Sequence, residues 1–204
     1  MSQAATIAPA EVRNAAPMSV MDAIRGRRSV RAFQKKRVER ATIRTLLEAA
    51  VLAPTAMHAE PWAFVVIQHP GILARLAKRA QASLVEEIGR LPPEHRRGLE
   101  TFESEEFDAL YGAGTLVVIC ARGEGSFADA DCWLAAENLM LAAHAMGLGT
   151  CVIGCSVAAL NAPEWKDELG LPADVIAVAP VIVGFPEGET PATSRKAPEI
   201  LAWR

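Results

Sequence analysis

The chain has 204 residues, 51% of them hydrophobic and 22% charged, with a net charge of −3. Such a composition is globular and excludes global disorder, and the length suits one sizeable core. The slightly acidic balance argues against a dedicated nucleic-acid binder, and no run reaches the roughly 20 apolar residues that span a bilayer.

Residues 1–17 are rich in Ala and broken by Pro9, Glu11, Arg13 and Pro17. They lack a basic start followed by an apolar block, so they read as a flexible arm and not as a secretory leader. Ser19 is an N-cap candidate for a short helix carrying Val20, Ala23 and Ile24. "RRSVRAF" reads as extended. "ERATIRTLLEAAVLA" places Ile43, Leu46, Leu47, Ala50 and Val51 at helical spacing and stops before Pro54, which disfavours helix in the preceding residue. The connector "APTAMHAEPW" follows, with a histidine and a carboxylate where a plain link would do. "WAFVVIQ" has the β-formers of a buried strand.

"GILARLAKRAQASLVEEIG" repeats Ile72, Leu73, Leu76, Ala80 and Leu84 at helical spacing. The polar stretch Arg90 to Tyr111, with its Pro-Pro, reads as a mobile insert or lid over a pocket. "TLVVICA" is a second buried strand. "ADADCWLAAENLMLAAHAMG" is a long helix, apolar on more than one side and ended by Gly147, which predicts a central position. "GTCVIG" is a third strand, Pro163 to Leu169 a short helix, and "DVIAVAPVIVGF" a fourth strand in which Pro180 implies a bulge or an edge position. The tail "PATSRKAPEILAWR" is polar, basic in its middle and aromatic near its end. Strands alternating with long helices predict an α+β, three-layer domain with its sheet covered on both faces.

Several chemistries find no support. Cys120, Cys132, Cys151 and Cys155 form no C-x-x-C pair and read as buried free thiols of a cytoplasmic protein. His58, His69, His95 and His144 lack metal-ligand spacing, so no metal is expected, and no Ser/His/Asp set stands out. Gly147, Gly149 and Gly154 precede and end a strand, whereas a dinucleotide fingerprint follows a strand and opens a helix. Trp62 and Trp133 read as core aromatics. "RGRRSVR" gathers Arg25, Arg27, Arg28 and Arg31 around Ser29. Guanidinium forks and a hydroxyl suit a phosphate monoester, and a solvated basic turn would look the same. Arg195 and Lys196 form a second basic pair, relevant only if the fold brings the two together.

Taken in order, "MDAIRGRRSVRAF", "LLEAAVLAPTAMHAEPWAFVVI", "DADCWLAAENLMLAAHAMGLGTCVIG" and "VAPVIVGFPEGETPATSRK" resemble the nitroreductase superfamily of FMN-dependent oxidoreductases. The resemblance runs from about Met18 to the C-terminus, so that 18–204 would be one FMN-binding domain. It implies a three-layer sandwich with a central, mainly antiparallel sheet, assembled as an intertwined homodimer with FMN at the subunit interface. It also implies that Arg27, Arg28 and Ser29 hold the FMN phosphate and ribityl chain, with Arg195 and Lys196 approaching the same phosphate. Arg31 would reach the pyrimidine edge of the flavin, where a cation favours the reduced anion. Pro54, Thr55, Ala56, His58 and Glu60 would be laid by one subunit against the other's flavin. Val152, Ile153 and Gly154 would run beside the ring, offering a backbone N–H to flavin N5.

The implied reaction is ping-pong. NADH or NADPH passes hydride to flavin N5, and a small-molecule acceptor, often a nitroaromatic or quinone, takes its place and is reduced; no acid–base side chain is needed. The same fold also serves dedicated dehydrogenases, dehalogenases, flavin-consuming enzymes and non-enzymatic flavin binders. Three departures mark this sequence: the family pattern is A-P-S-x-x-N-x-Q-P-W, and here Thr55 stands for Ser, keeping a hydroxyl, His58 for Asn and Glu60 for Gln. An amide both donates and accepts, whereas an ionised carboxylate only accepts.

Overall fold

A computed structural model describes residues 18–123 and 125–204. Ser19 caps α1 (Val20–Gly26), its Oγ accepting from the Asp22 N–H at 3.1 Å. An extended stretch leads to α2 (Arg40–Ala50), and the connector leads to β1 (Trp62–Ile67). Then follow α3 (Pro70–Arg90), β2 (Thr115–Arg122), α4 (Ala128–Ala145), β3 (Gly149–Val152), the short α5 (Val157–Leu160) and α6 (Pro163–Leu169), and β4 (Val175–Gly184). The predicted elements are all present, and α4 ends where Gly147 adopts φ 75°, a left-handed value that glycine takes without penalty.

The strands form one sheet in the order β1-β2-β4-β3 with every pairing antiparallel. β2 shows the two-residue alternation of a strand covered on both faces. Val117, Ile119 and Ala121 join a core with α2 and α4, while Leu116, Val118 and Cys120 join a second core with α3, α5 and α6. Helices therefore cover both faces, and the α+β three-layer expectation holds.

One open alternative is decided, and three expectations need correction. Pro180 lies in β4, which is central and not an edge strand; the bulge alternative is the correct one, since Ile119 pairs with Ala179 and Cys120 with Ala177, leaving Val178 as the extra residue. Proline is tolerated there because the Pro180 carbonyl accepts from the Ile153 N–H, just beyond the last β3 residue. A residue's N–H and C=O face the same strand edge, so the missing donor falls where the ladder ends. β1 is an edge strand and only partly buried, because nothing among the described residues pairs its outer side. Trp133 is 44% exposed; Trp165 of α6 is the buried tryptophan. Finally, the 90–111 stretch is docked on α3. Gln81 donates to the carbonyls of Phe102 (3.0 Å) and Ser104 (2.7 Å), and Phe102, Phe107 and Tyr111 stack edge to face at 5.0 and 5.7 Å.

The 1–17 arm lies outside the described residues. Among those described, no helix is long and apolar enough to cross a membrane.

Candidate functional site

The arginine-rich stretch is latched across one end of the sheet. Val30 and Phe33 point inward at 7% and 5% exposure, whereas Ser29, Arg31 and Ala32 are exposed. Ser29 bridges Thr150 of β3, and the Val30 N–H donates to the Thr150 carbonyl at 2.9 Å. Two strand glycines permit this crossing. A Cβ at Gly149 would sit 2.8 Å from Val30 Cγ2, and one at Gly184 would sit 2.7 Å from Phe33 Cδ1. These glycines were not among the sequence candidates. Nothing local marks them, because the need for them arises from a segment more than a hundred residues away.

A cleft of about 510 Å³ opens on the outward face of this segment. Arg27, Arg28, Ser29 and Arg31 line it from one side; Thr190, Thr193 and Arg195 come from the tail. Lys196 does not line it; only Arg195 of that pair does. Neighbouring residues of an extended tail point to opposite sides, and so only one of the two faces the cleft. Glu187 and Glu189 also reach it, against four guanidinium groups. Arg28 Nη1 donates to the carbonyls of Arg25 at 2.5 Å and Arg27 at 2.8 Å, and Arg27 Nε lies 3.6 Å from Glu137 of α4, so both guanidinium groups are tethered by the chain's own acceptors. His144, in the last turn of α4, packs against Gly26. Its burial, and then the nearby Arg28 and Arg27, hold its pKa below the usual 6.5.

Tyr111 stands near Arg31. Burial raises its phenol above 10.0, and the Arg31 charge opposes that rise. The thiols are poor nucleophiles: burial pushes Cys120 up to about 11 and Cys132 to about 12, and raises Cys151 and Cys155 as well. Val152, Ile153 and Gly154 close β3 beside Ser29's bridge. The Ile153 N–H is committed to the Pro180 carbonyl at 2.9 Å, so it is not free for a ligand. Gly154 is exposed, and a Cβ there would meet nothing within 4 Å, which leaves this strand end open.

The connector is a second, separate feature. Met57, His58 and Glu60 have φ of 54°, 54° and 44°. Left-handed backbone costs a non-glycine residue about 1–2 kcal/mol, so this arch holds its shape only because its ends are pinned. At one end the Ala56 N–H points between both oxygens of Asp131, at 3.2 and 3.3 Å. At the other, the Arg122 N–H donates to the Pro61 carbonyl at 2.7 Å. Met57 is 96% exposed, and Pro54, His58 and Glu60 are exposed too, with Thr55 and Ala56 half-buried.

Within one chain the arch and the arginine cleft do not meet. Asp131 anchors the arch at the first turns of α4, whereas Glu137 and His144 flank the arginines further along it. From Asp131 to His144 the helix rises about 20 Å. The sequence candidates thus fall into two groups: Arg27, Arg28, Ser29, Arg31 and Arg195 share a cleft, with Val152–Gly154 adjoining, while Pro54–Glu60 lie elsewhere. A larger groove of about 1040 Å³ runs between α3 and residues 105–114, but Lys35, Lys36 and Lys78 there share it with Glu105 and Glu106. A groove of about 810 Å³ between α2 and β1 also gathers Arg37, Arg40 and Arg44 with Glu168; the smaller cleft is the one whose four arginines come from both ends of the domain. Among the described residues, no group of His, Cys, Asp or Glu could hold a metal ion.

Helices on both faces of an antiparallel sheet, with an arginine-lined cleft at the sheet's end, define an α+β sandwich protein. The chain belongs to the Nitroreductase family, whose sequence model matches residues 24–185. It is 25% identical over 168 residues, 80% of this chain and 83% of the other, to an Archaeoglobus fulgidus protein that bears the name NADH dehydrogenase/NAD(P)H nitroreductase. A crystal structure of a Bacteroides fragilis nitroreductase with bound FMN superposes with a TM-score of 0.75 at 28% identity, covering 91% of this chain and 98% of that one. An iodotyrosine deiodinase from Thermotoga neapolitana is 26% identical over 137 residues, 63% of this chain and 70% of the other.

Proposed function

We propose that the protein is an FMN-dependent oxidoreductase of the cytoplasm. It draws reducing equivalents from NADH or NADPH and delivers them to a small-molecule acceptor such as a nitroaromatic or quinone. The observation that carries this reading is the convergence of Arg27, Arg28 and Arg31 with Arg195 on one cleft, from opposite ends of the domain.

The residues present fit a phosphate monoester. Four guanidinium groups and the Ser29, Thr190 and Thr193 hydroxyls offer charge-assisted donors, and the two cleft glutamates leave the balance positive. Arg27, Arg28, Ser29 and Arg195 would hold the phosphate end. Bound FMN supplies two-electron hydride chemistry at N5. Arg31, exposed at the cleft, contributes positive charge that favours an anionic reduced ring. The backbone at the end of β3 lies open for the ring, and Gly154 leaves room for close approach. No side chain is assigned as proton donor or acceptor, in keeping with the cofactor's own chemistry and with thiols held protonated by burial.

The working form is a homodimer with the cofactor at its interface. Two features support that. The adjoining helices α1 and α4 expose Val20 (71%), Met21 (52%), Ile24 (51%), Trp133 (44%) and Leu134 (46%), large apolar side chains that water would not favour. The pinned arch, remote from its own chain's cleft, is placed to serve a second copy. The tail past Arg195, with Ile200, Leu201 and Trp203 exposed, would wrap the partner subunit.

The test is uptake of FMN by the purified protein, followed by anaerobic titration with NADH and NADPH and turnover with a panel of acceptors. A protein that takes up no FMN refutes the reading. Bleaching of the flavin band without acceptor turnover refutes the reductase part alone. A second reading, reductive dehalogenation of one halogenated aromatic metabolite, is favoured by the deiodinase relative and by the aromatic cluster that ends in Tyr111 beside Arg31. Turnover of 3-iodotyrosine in place of nitroaromatics selects it.

A further inference from the structure

Asp131 is the most deeply buried ionisable carboxylate among the described residues, at 4% exposure. A buried carboxylate needs strong compensation. Its two oxygens share one side-chain-to-backbone donor, the Ala56 N–H, and the positive end of α4 supplies the rest. Such an investment for one loop amide calls for a reason. The loop supplies one: immediately after Ala56 come Met57, His58 and Glu60, all left-handed and none of them glycine. That shape would relax if the amide were released. Asn138, two turns further along α4, donates to the Ala49 carbonyl at 3.2 Å and fixes the preceding helix end, so the connector enters its arch from a firm base.

We infer that Asp131 is a positioning residue of the cofactor site: by gripping the Ala56 N–H it holds the Thr55–Glu60 arch in the one shape that fits the flavin ring bound by the second subunit. The inference rests on the flavin and homodimer reading above. It adds a division of labour. Arg27, Arg28, Ser29 and Arg195 bind the phosphate, and Asp131, which itself touches no cofactor, sets how tightly the ring end is held.

This division makes the inference testable with riboflavin, which carries the ring without the phosphate. Asp131→Ala in the full-length protein should weaken FMN and riboflavin alike, by about tenfold, the usual effect of losing a hydrogen bond to a charged group. The ratio of the two affinities should therefore stay as in wild type. Amide exchange across residues 56–60 should accelerate while the dimer persists. Asp131→Asn keeps one acceptor oxygen for Ala56 and should restore FMN affinity to within about threefold of wild type. Should Asp131→Ala fail to fold, Ala56→Pro removes the same hydrogen bond from the donor side. Thr55 is already extended at φ −127° and ψ 149°, as a residue before proline requires.

Folded variants that bind riboflavin and FMN as wild type does would overturn the inference while leaving the flavin reading intact. A loss confined to FMN would overturn it too, since that would place the effect at the phosphate. Absence of FMN uptake by the wild type would instead bring down the reading on which the inference stands.

Discussion

Gly149→Ala tests how the arginine cleft is built. Gly149 is not among the positive-φ residues, so alanine suits its backbone and any effect is steric. The new Cβ would lie 2.8 Å from Val30 Cγ2, 2.9 Å from Val30 Cβ and 3.0 Å from Val30 Cγ1. Carbon atoms rest about 3.5–4.0 Å apart, so Val30 must retreat by roughly 0.7–1 Å. Rotating χ1 does not help, because the Val30 Cβ itself is too close and a β-branched side chain is stiff. The backbone must move, and it carries the 2.9 Å bond from the Val30 N–H to the Thr150 carbonyl with it. Overpacking of this kind costs about 1–3 kcal/mol. For a domain of this size that corresponds to a fall of about 3–10 °C in Tm. Ser29 and Arg31 flank Val30, so FMN affinity should drop by about tenfold or more, a 1 Å displacement being enough to spoil charge-assisted bonds. Thermal melting and flavin fluorescence quenching read the two effects. Val30→Ala removes two of the three close atoms, so the double variant should be more stable than the sum of the single effects, by about 0.5 kcal/mol or more. Wild-type melting and FMN affinity in Gly149→Ala, or strict additivity in the double variant, would refute the argument that glycine is needed for the crossing.

Trp133→Glu places a charge in the exposed apolar face of α4; it should shift the protein to monomer in light scattering and abolish FMN uptake, while the secondary structure by circular dichroism is kept. Glu60→Gln removes a negative charge from the arch and should raise the midpoint potential of the bound flavin by about 20 mV, the two-electron equivalent of ~1 kcal/mol; an unchanged potential would mean that the carboxylate faces solvent. His144 has its pKa lowered in the folded protein, so the unfolded chain binds that proton more tightly. Its contribution to stability is complete above the ordinary value of 6.5 and is lost as pH falls through the lower folded pKa. Urea midpoints should therefore decline on acidification through that window, and His144→Gln should flatten the decline.

Most of the fold was legible in local patterns. Ser19 as a cap, the helical spacing of Ile43, Leu46 and Ala50, the β-formers of 115–122 and the stop at Gly147 each act over a few residues, and each element formed where they placed it. The arginine cluster was visible as a cluster for the same reason. The order of strands was not, because it depends on which hydrophobic faces pair across the chain. Pro180 announced a local irregularity, yet only the pairing of β4 with both β2 and β3 decided between bulge and edge. Trp133 looked like core from its helix and became surface, since burial depends on what packs opposite.

The candidate site divides along the same line. Residue types, spacing and the His58 and Glu60 departures are properties of short stretches and could be read directly. Whether Arg195 joins Arg27 and Arg28, why Gly149 and Gly184 lack side chains, and what a buried Asp131 is for depend on segments that are distant in the chain and close in space. Local sequence encodes the elements and the chemistry they carry. The cleft, the latch beneath it and the remoteness of the arch arise only when long-range packing sets those elements side by side.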